Sequence, residues 1–448
     1  MKFLNLTKLF SILILALIIA IPSSAQAREQ FIRDTEIERL IKSYSFPIFE
    51  AAKLDPYSVN LLIIDSPTIN AFVAGGSNIF LYTGLILETK TPLELAGVIA
   101  HETGHITGGH LIRTQNNIKE AQMQSIIGMI LGGLVAAGSG QGRGGVAASQ
   151  AAQSMLERQL LSYSRVHENA ADQAGFGFLK EAGYSLVGSV DFLKKLQSQE
   201  GRSSSVSNEY TRTHPLTKDR INAAIEQYSQ TKELGLDDLS QFQEAHDRIK
   251  AKIFAYNYPD QTQFLYGGKS IVDHYARAMA AYRKNNLSTF EKEINILIER
   301  EPNNPYFWEL KGQAMLENGK LQEALIALEK ASMFSDNAPL IITLYAHALI
   351  QTQDNQNLEQ AITLLQRAEK IEKGSAFRHR LLGLAYGQLG QKEIARLHQA
   401  EEAFYMRDYK LLDRILPQLK DAFDTGSSNW IKYQDLVQIN ERVKSQQK

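Results

Sequence analysis

A spacing of 34 residues recurs through the C-terminal half of the chain and limits its fold more than any other feature. Pro305 and Pro339 are 34 positions apart, and so are Ala278, Gly312 and Ala346. Ala324 and Ala361 are 37 apart, as are Ala346 and Gly383, with Asn355-Gln356-Asn357 as the three-residue insert; Ala361 to Ala395 returns to 34. A period of this length is one helix–turn–helix unit, which cannot bury its apolar face alone and must stack on its neighbours. Gly312, Ala324 and Ala331, around Trp308, supply small residues where helices approach closely. From about residue 266 the chain is therefore expected to form an all-α superhelix with a concave binding face. An unrelated helical bundle competes with this reading, but it does not explain why several markers keep one period.

The first half reads differently. Residues 61–64, 71–74 and 78–82 are short apolar runs expected to be buried strands, with Gly75-Gly76 as a turn between the last two. An apolar stretch over 126–137, carrying Gly128, Gly132 and Gly133, passes into a glycine-rich segment ending at Gly145. About a dozen apolar residues are too few to cross a bilayer as a helix. A surface hairpin is the plainer reading; a lid, or a flap resting on a membrane, is the alternative. Helical signals resume from 157 to about 230, broken at Ser203-Ser204-Ser205. The expected organisation is an α+β domain over 28–230, mostly helical with a small sheet. A connecting helical segment over 231–265, repeats over 266–423 and a loosely packed polar tail over 424–448 follow it.

Residues 1–27 have the anatomy of a secretory signal. Lys2 and Lys8 precede an apolar run over 9–21, Pro22 breaks it, and Ala25-Gln26-Ala27 offers a cleavage site. An uncleaved anchor is the alternative. Forty-eight basic residues balance 49 acidic ones, so no basic surplus points to nucleic acid. Cysteine is absent, which excludes disulfides, thiolate metal clusters and a cysteine nucleophile. Any metal must be held by histidine and carboxylate.

His101-Glu102-Thr103-Gly104-His105 meets that requirement. Thr91, Pro92 and Glu94 are N-cap, first-turn proline and capping-box acid for a helix that carries it. On a helix His101 and His105 share a face, and Glu102 can reach a water on the same ion; H-E-x-x-H is the zinc-hydrolase arrangement. A catalytic zinc needs a third protein ligand. The extended motif H-E-x-x-H-x-x-G-x-x-H finds Gly108 in place but Leu111 at its last position. His110 is one residue early, rotated by about 100°, and reads as a structural histidine. The third ligand must come from elsewhere, and Glu168 is the best candidate. Glu168 and Asp172 lie four apart beside Ala170 and Ala171, so Glu168 can complete a His2Glu set while Asp172 orients a ligand histidine. A merely solvated helix face is the plainer reading of such a pair, and His167 is a weaker ligand candidate.

H-E-x-x-H followed by S-R-x-x-E-x-x-A-D at Ser164–Asp172 resembles the gluzincin clan that includes the CAAX prenyl proteases and membrane heat-shock zinc proteases. Asn70-Ala71-Phe72 and the loop from His214-Pro215 to Arg220-Ile221 fit the same resemblance. With an export signal and tetratricopeptide-type repeats, the chain is similar to the periplasmic β-barrel assembly-enhancing proteases of Gram-negative bacteria. The resemblance implies one zinc per chain held by His101, His105 and Glu168, with Glu102 as general base. It implies an orienting or proton-donating role for Asp172. Asn78, Phe80 and Tyr82 would lie on an active-site edge strand, where extended substrate adds. It further implies that His214 can approach the metal as a fourth, latent-state ligand or be only a loop histidine, and that Arg220 stabilises an oxyanion or only pins its loop. Implied partners are misassembled outer-membrane proteins and, through the repeats, the outer-membrane β-barrel assembly machinery. Peripheral membrane contact stays open. Related proteins can tie their two domains together with cysteines; here that geometry must rest on packing alone. Two other functions compete: a chaperone-like assembly factor with a latent site, and a metal hydrolase acting on cell-wall peptide bridges.

Overall fold

The computed structural model describes residues 30–109, 165–200 and 210–446. The expected signal segment over 1–27, His110, the glycine-rich stretch and residues 203–205 lie outside the described residues.

Strand β1 (Gln30–Ile32) leads into helix α1 (Thr35–Ala51), where the Asp34 carboxylate accepts from the Ile37 N–H. Strands β2 (Asn60–Asp65), β3 (Ala71–Ala74) and β4 (Asn78–Tyr82) fall where the apolar runs predict them; β1 carried no such signal. The sheet order is β1-β2-β4-β3, with β2 and β4 parallel and the outer pairs antiparallel. This corrects the expected edge strand. Asn78, Phe80 and Tyr82 lie on β4, which is paired on both sides and buried at all five positions. The free edge on that side belongs to β3. The continuous apolar run of β4 suits a strand covered on both faces. Asn78 is a structural polar residue instead: its amide donates to Ala74 O and Gly75 O and accepts from Asn60, tying down the β3–β4 turn.

Helices α2 (Thr83–Glu88), α3 (Pro92–Thr107), α4 (Arg165–Glu181), α5 (Val187–Glu200), α6 (Tyr210–Thr213) and α7 (Lys218–Thr231) complete the first unit. Helix α8 (Gln243–Asn257) belongs to both halves. Its Ile249 and Ile253 enter the first apolar core, while Ala251 and Ala255 enter the second. Charge joins the halves as well as packing, which amends the expectation of packing alone. Lys252 on α8 lies 2.6 Å from Asp34 and 3.3 Å from Glu36, and the buried Tyr275 hydroxyl donates to Glu36 at 2.6 Å. Arg33 bridges Glu38 and Glu372, 339 positions away, at 2.6 and 2.7 Å.

After the short α9 (Thr262–Leu265), four helix pairs follow: α10 (Ile271–Arg283) with α11 (Leu287–Arg300), and α12 (Pro305–Glu317) with α13 (Leu321–Phe334). Then come α14 (Pro339–Gln351) with α15 (Asn355–Ile371), and α16 (Ala376–Gln388) with α17 (Lys392–Tyr405). The leading helices begin at 271, 305, 339 and 376, reproducing the period and its single interruption. The interruption lengthens α15 to 17 residues, against 14 for α11 and α13. The periodic alanines and glycines, including Ala278, Gly312, Ala346 and Ala361, are buried between helices. Helix α18 (Tyr409–Ile415) and helix α19 (Ser428–Gln446) close the array. The loose tail expected from 424 is thus corrected: Tyr433 and Leu436 of α19 pack on Leu397, Leu412 and Leu419. An apolar stripe this sparse still suffices when only one helix face is covered.

Candidate metal centre

Thr91 caps α3 by accepting from the Glu94 N–H, and Pro92 occupies the first turn, as the sequence predicts. The Glu94 carboxylate reaches back to the Lys90 N–H rather than to that of the cap. The resulting helix is buried from Pro92 through His105, with His101 and His105 on the face toward α4. Two glycines let these helices touch. A Cβ on Gly104 would lie 2.5 Å from Ala171 O, and one on Gly175 would lie 3.1 Å from the Ala100 and His101 backbone. That close approach carries Glu168 and Asp172 of α4 to the histidines.

Four side chains converge. His101 Nε2 lies 3.1 Å from His105 Nε2 and 3.4 Å from Glu168 Oε2, and His105 Nε2 lies 3.3 Å from Glu168 Oε1. His214, just after α6, places Nδ1 at 3.1 Å from Glu168 Oε1 and 3.3 Å from His101 Nε2. All four residues are buried, and one donor atom from each lies within 4.8 Å of the others. A tetrahedral ion with bonds of about 2.0–2.1 Å needs donor atoms about 3.3–3.4 Å apart. The spacing and the chemistry of the donors therefore fit a metal ion. The tautomers agree, because His101 Nδ1 meets Asp172 Oδ1 at 2.8 Å and His214 Nε2 meets Ala71 O at 3.2 Å. Each ring thereby turns its other nitrogen inward.

Burial disfavours charge throughout the site, and its neighbours decide the outcome. Although burial penalises the imidazolium, Asp172 and Glu168 hold His101 up to about 10. Burial pushes His105 well down. Burial works against Glu168 too, yet His214, His101 and His105 keep it far below the usual carboxylate range. Glu102 is raised by burial, and among the described residues neither of its oxygens has a hydrogen-bond partner. Its Oε1 lies 3.6 Å from His214 Nε2.

Residues 32–227 match the model of peptidase family M48. The chain carries an M48 peptidase domain. Over 430 residues it is 24% identical to the β-barrel assembly-enhancing protease of Escherichia coli K12, covering 92% of this chain and 85% of that protein. The protein of that name from Yersinia pestis is 25% identical over 399 residues, covering 86% and 80%. The metalloprotease LoiP of E. coli K12 is 29% identical over 165 residues, covering 36% of this chain and 60% of LoiP. The chain is a metalloendopeptidase.

Within the M48 domain, Arg220 does what the loop-pinning alternative requires. It grips Asp172 with Nε and Nη2 at 2.6 and 2.9 Å, lies 2.7 Å from Glu168, and donates to Pro215 O beside His214. Burial works against the Asp172 charge, but His101 and Arg220 hold its pKa down. Its contact with His101 Nδ1 at 2.8 Å is the geometry that an orienting role needs. His167 is not among the converging residues. Tyr210 went unnoticed in the sequence; its ring stacks on His214 at 4.5 Å, a contact with no local signal. His379, His398 and Glu401 also went unnoticed, although His398 and Glu401 are three apart on one helix.

Proposed function

We propose that the chain is an exported zinc endopeptidase whose site is kept latent by His214. One observation carries the reading: donor atoms of His101, His105 and Glu168 converge beside Glu102, a buried carboxylate with no hydrogen-bond partner among the described residues. Two imidazoles and one carboxylate suit zinc better than magnesium or calcium, at one ion per chain in this site. A zinc ion held there supplies Lewis-acid polarisation and a lowered water pKa. Glu102, its basicity raised by burial, takes the proton of the attacking water and returns it to the leaving amine. Asp172 holds His101 in position through the Nδ1–H. Arg220 locks Asp172 and the loop at Pro215 together.

Latency has two parts. His214 offers a fourth donor, and it also covers the free edge of β3, where its Nε2 meets Ala71 O while the Tyr210 N–H donates to Ile69 O. Extended polypeptide adds along such an edge, so substrate and the His214 loop compete for the same carbonyls. We read residues 28–230 as the peptidase unit, 231–265 as the joint and 266–423 as tetratricopeptide-type repeats. The relatives' name, β-barrel assembly-enhancing protease, supports a role in β-barrel assembly; on our reading that role is periplasmic, after signal cleavage near Ala27, and lies in removing misassembled outer-membrane proteins. The repeats would dock the β-barrel assembly machinery. The covered edge also favours a second reading, an assembly factor whose protease is seldom open.

Metal content and casein cleavage of the mature protein test both. Glu102→Gln is expected to keep its metal and lose about 10²–10⁴-fold in turnover, whereas His214→Ala gains activity. Full proteolysis by Glu102→Gln sinks the mechanism. Bound metal without cleavage in wild type and in His214→Ala moves the function to the repeats.

A further inference from the structure

A second group of two histidines and a glutamate lies in the last helix pair, far from the peptidase machinery in sequence. His379 on α16 faces His398 and Glu401 on α17. The Nδ1 atoms of the two imidazoles are 3.1 Å apart, and Glu401 Oε2 lies 3.1 Å from the first and 2.7 Å from the second. Both imidazoles are buried, at 2% and 5% exposure. Three atoms so close form three edges, but two Nδ1 protons can serve only two of them. A cation uses all three lone pairs. These spacings of 2.7–3.1 Å are shorter than the roughly 3.3–3.4 Å of a tetrahedral ion, so a zinc-type cation with bonds of about 2.0–2.1 Å would sit about 1 Å off their plane and draw the three donors slightly apart, leaving a fourth position for water.

We propose that His379, His398 and Glu401 form a second transition-metal site that clamps α16 to α17. The surroundings are those of a built site. His379 Nε2 lies 3.7 Å from Glu369 Oε1, and Glu369 is itself fixed by the Arg378 Nε–H at 2.9 Å and the Gly374 N–H at 2.7 Å. At 3.7 Å Glu369 is a charge near that nitrogen rather than a hydrogen-bond acceptor for it, and a shift of about half an ångström would make it the carboxylate support that metal-bound histidines use. Tyr405 stacks on His379 at 5.2 Å and Tyr386 on His398 at 5.4 Å, so both ring planes are set. Lys432 of α19 lies 3.7 Å from the other Glu401 oxygen. Imidazole nitrogens with a single carboxylate oxygen select zinc, nickel or copper over magnesium and calcium. The site also adjoins the joint between the halves: Arg378, which holds Glu369, bonds the carbonyl of Glu372, and Glu372 is the partner of Arg33.

The test is metal stoichiometry of the full mature chain, stripped with chelator, reloaded with zinc and freed of excess. Wild type is expected to hold two ions per chain. His379→Asn/Glu401→Gln is expected to hold one and keep its casein cleavage, and His105→Ala/Glu168→Gln is expected to hold one and lose cleavage. One ion in wild type and none in His105→Ala/Glu168→Gln overturns the proposal. That last measurement decides the matter even if the His379 variant fails to fold. Zinc should also raise the Tm of His105→Ala/Glu168→Gln; no rise at saturating zinc counts equally against the second site.

Discussion

Among the described residues, two histidines and a glutamate come together twice, each time across a pair of packed helices. In the M48 domain the local pair is His101 and His105, four apart on α3, and Glu168 comes from α4. In the repeats the local pair is His398 and Glu401, three apart on α17, and His379 comes from α16. With His214 set aside the donor types are the same, so the donors alone do not make a hydrolase. The difference lies around them. Beside the first set stands Glu102, buried with no hydrogen-bond partner among the described residues, and next to it runs the outer edge of β3. The second set is enclosed by Tyr386, Tyr405 and helices, with no strand near it. A metal centre becomes an active site where a spare base and a strand edge that substrate can join meet it.

The largest break in this comparison should come from helix spacing. Gly104→Ala sets a Cβ against the Ala171 backbone at 2.5 Å, forcing α3 and α4 apart. Overpacking of this kind costs about 1–3 kcal/mol, and with Glu168 displaced the first site should lose its metal and its activity. Gly383→Ala in the repeats meets Ala395 O only at 3.3 Å. Its helix-propensity gain of about 1 kcal/mol offsets that strain, so metal binding at the second site should survive. Thermal melts and metal counts on the two variants decide this; equal losses would end the distinction.

A smaller contrast concerns the supporting carboxylates. Asp172 touches His101 at 2.8 Å, while Glu369 stands 3.7 Å from His379. Asp172→Asn is expected to weaken zinc at the first site about 10–100-fold, and Glu369→Gln to weaken the second by less, as read by competition with a chelating dye.

The smallest effect is a pH dependence at the joint. His246 on α8 is buried against Thr89 with no carboxylate on it, and burial, then Lys250, pushes it down to about 4. His101 and His379, each beside carboxylates, are instead raised to about 10 and about 8. A histidine lowered on folding stabilises the native state above its unfolded value of about 6.5, and that contribution is lost as pH falls toward 4. A Tm series from pH 7 to 4 should therefore decline by a few degrees more in wild type than in His246→Gln. Parallel curves would remove His246 from the account.

What could be read from the chain was local. The cap at Thr91, the i, i+4 histidines and the 34-residue period each depend on a few neighbouring positions or on repetition, and each reappears in the structure. The edge strand was misread because strand order is a matter of pairing. Nothing in residues 78–82 says whether β2 will lie on one side and β3 on the other. Helix α19 was read as a tail because its apolar residues are few, and only their packing on α17 and α18 makes them a core.

The sequence by itself determined the helical repeat, the histidine pair with its adjacent carboxylate, and the exclusion of every cysteine-based device. These follow from helix geometry and from residue chemistry, which need no distant partner. Tertiary structure decided that Glu168 and His214, which the sequence offered only as candidates, reach the histidine pair. It decided that Arg220 reaches Asp172, that β3 rather than β4 is the outer strand, and that His379 meets His398 and Glu401. Each of these joins residues from separate elements, and contacts of that kind exist only once glycines, strand register and buried ion pairs have set the distance between those elements.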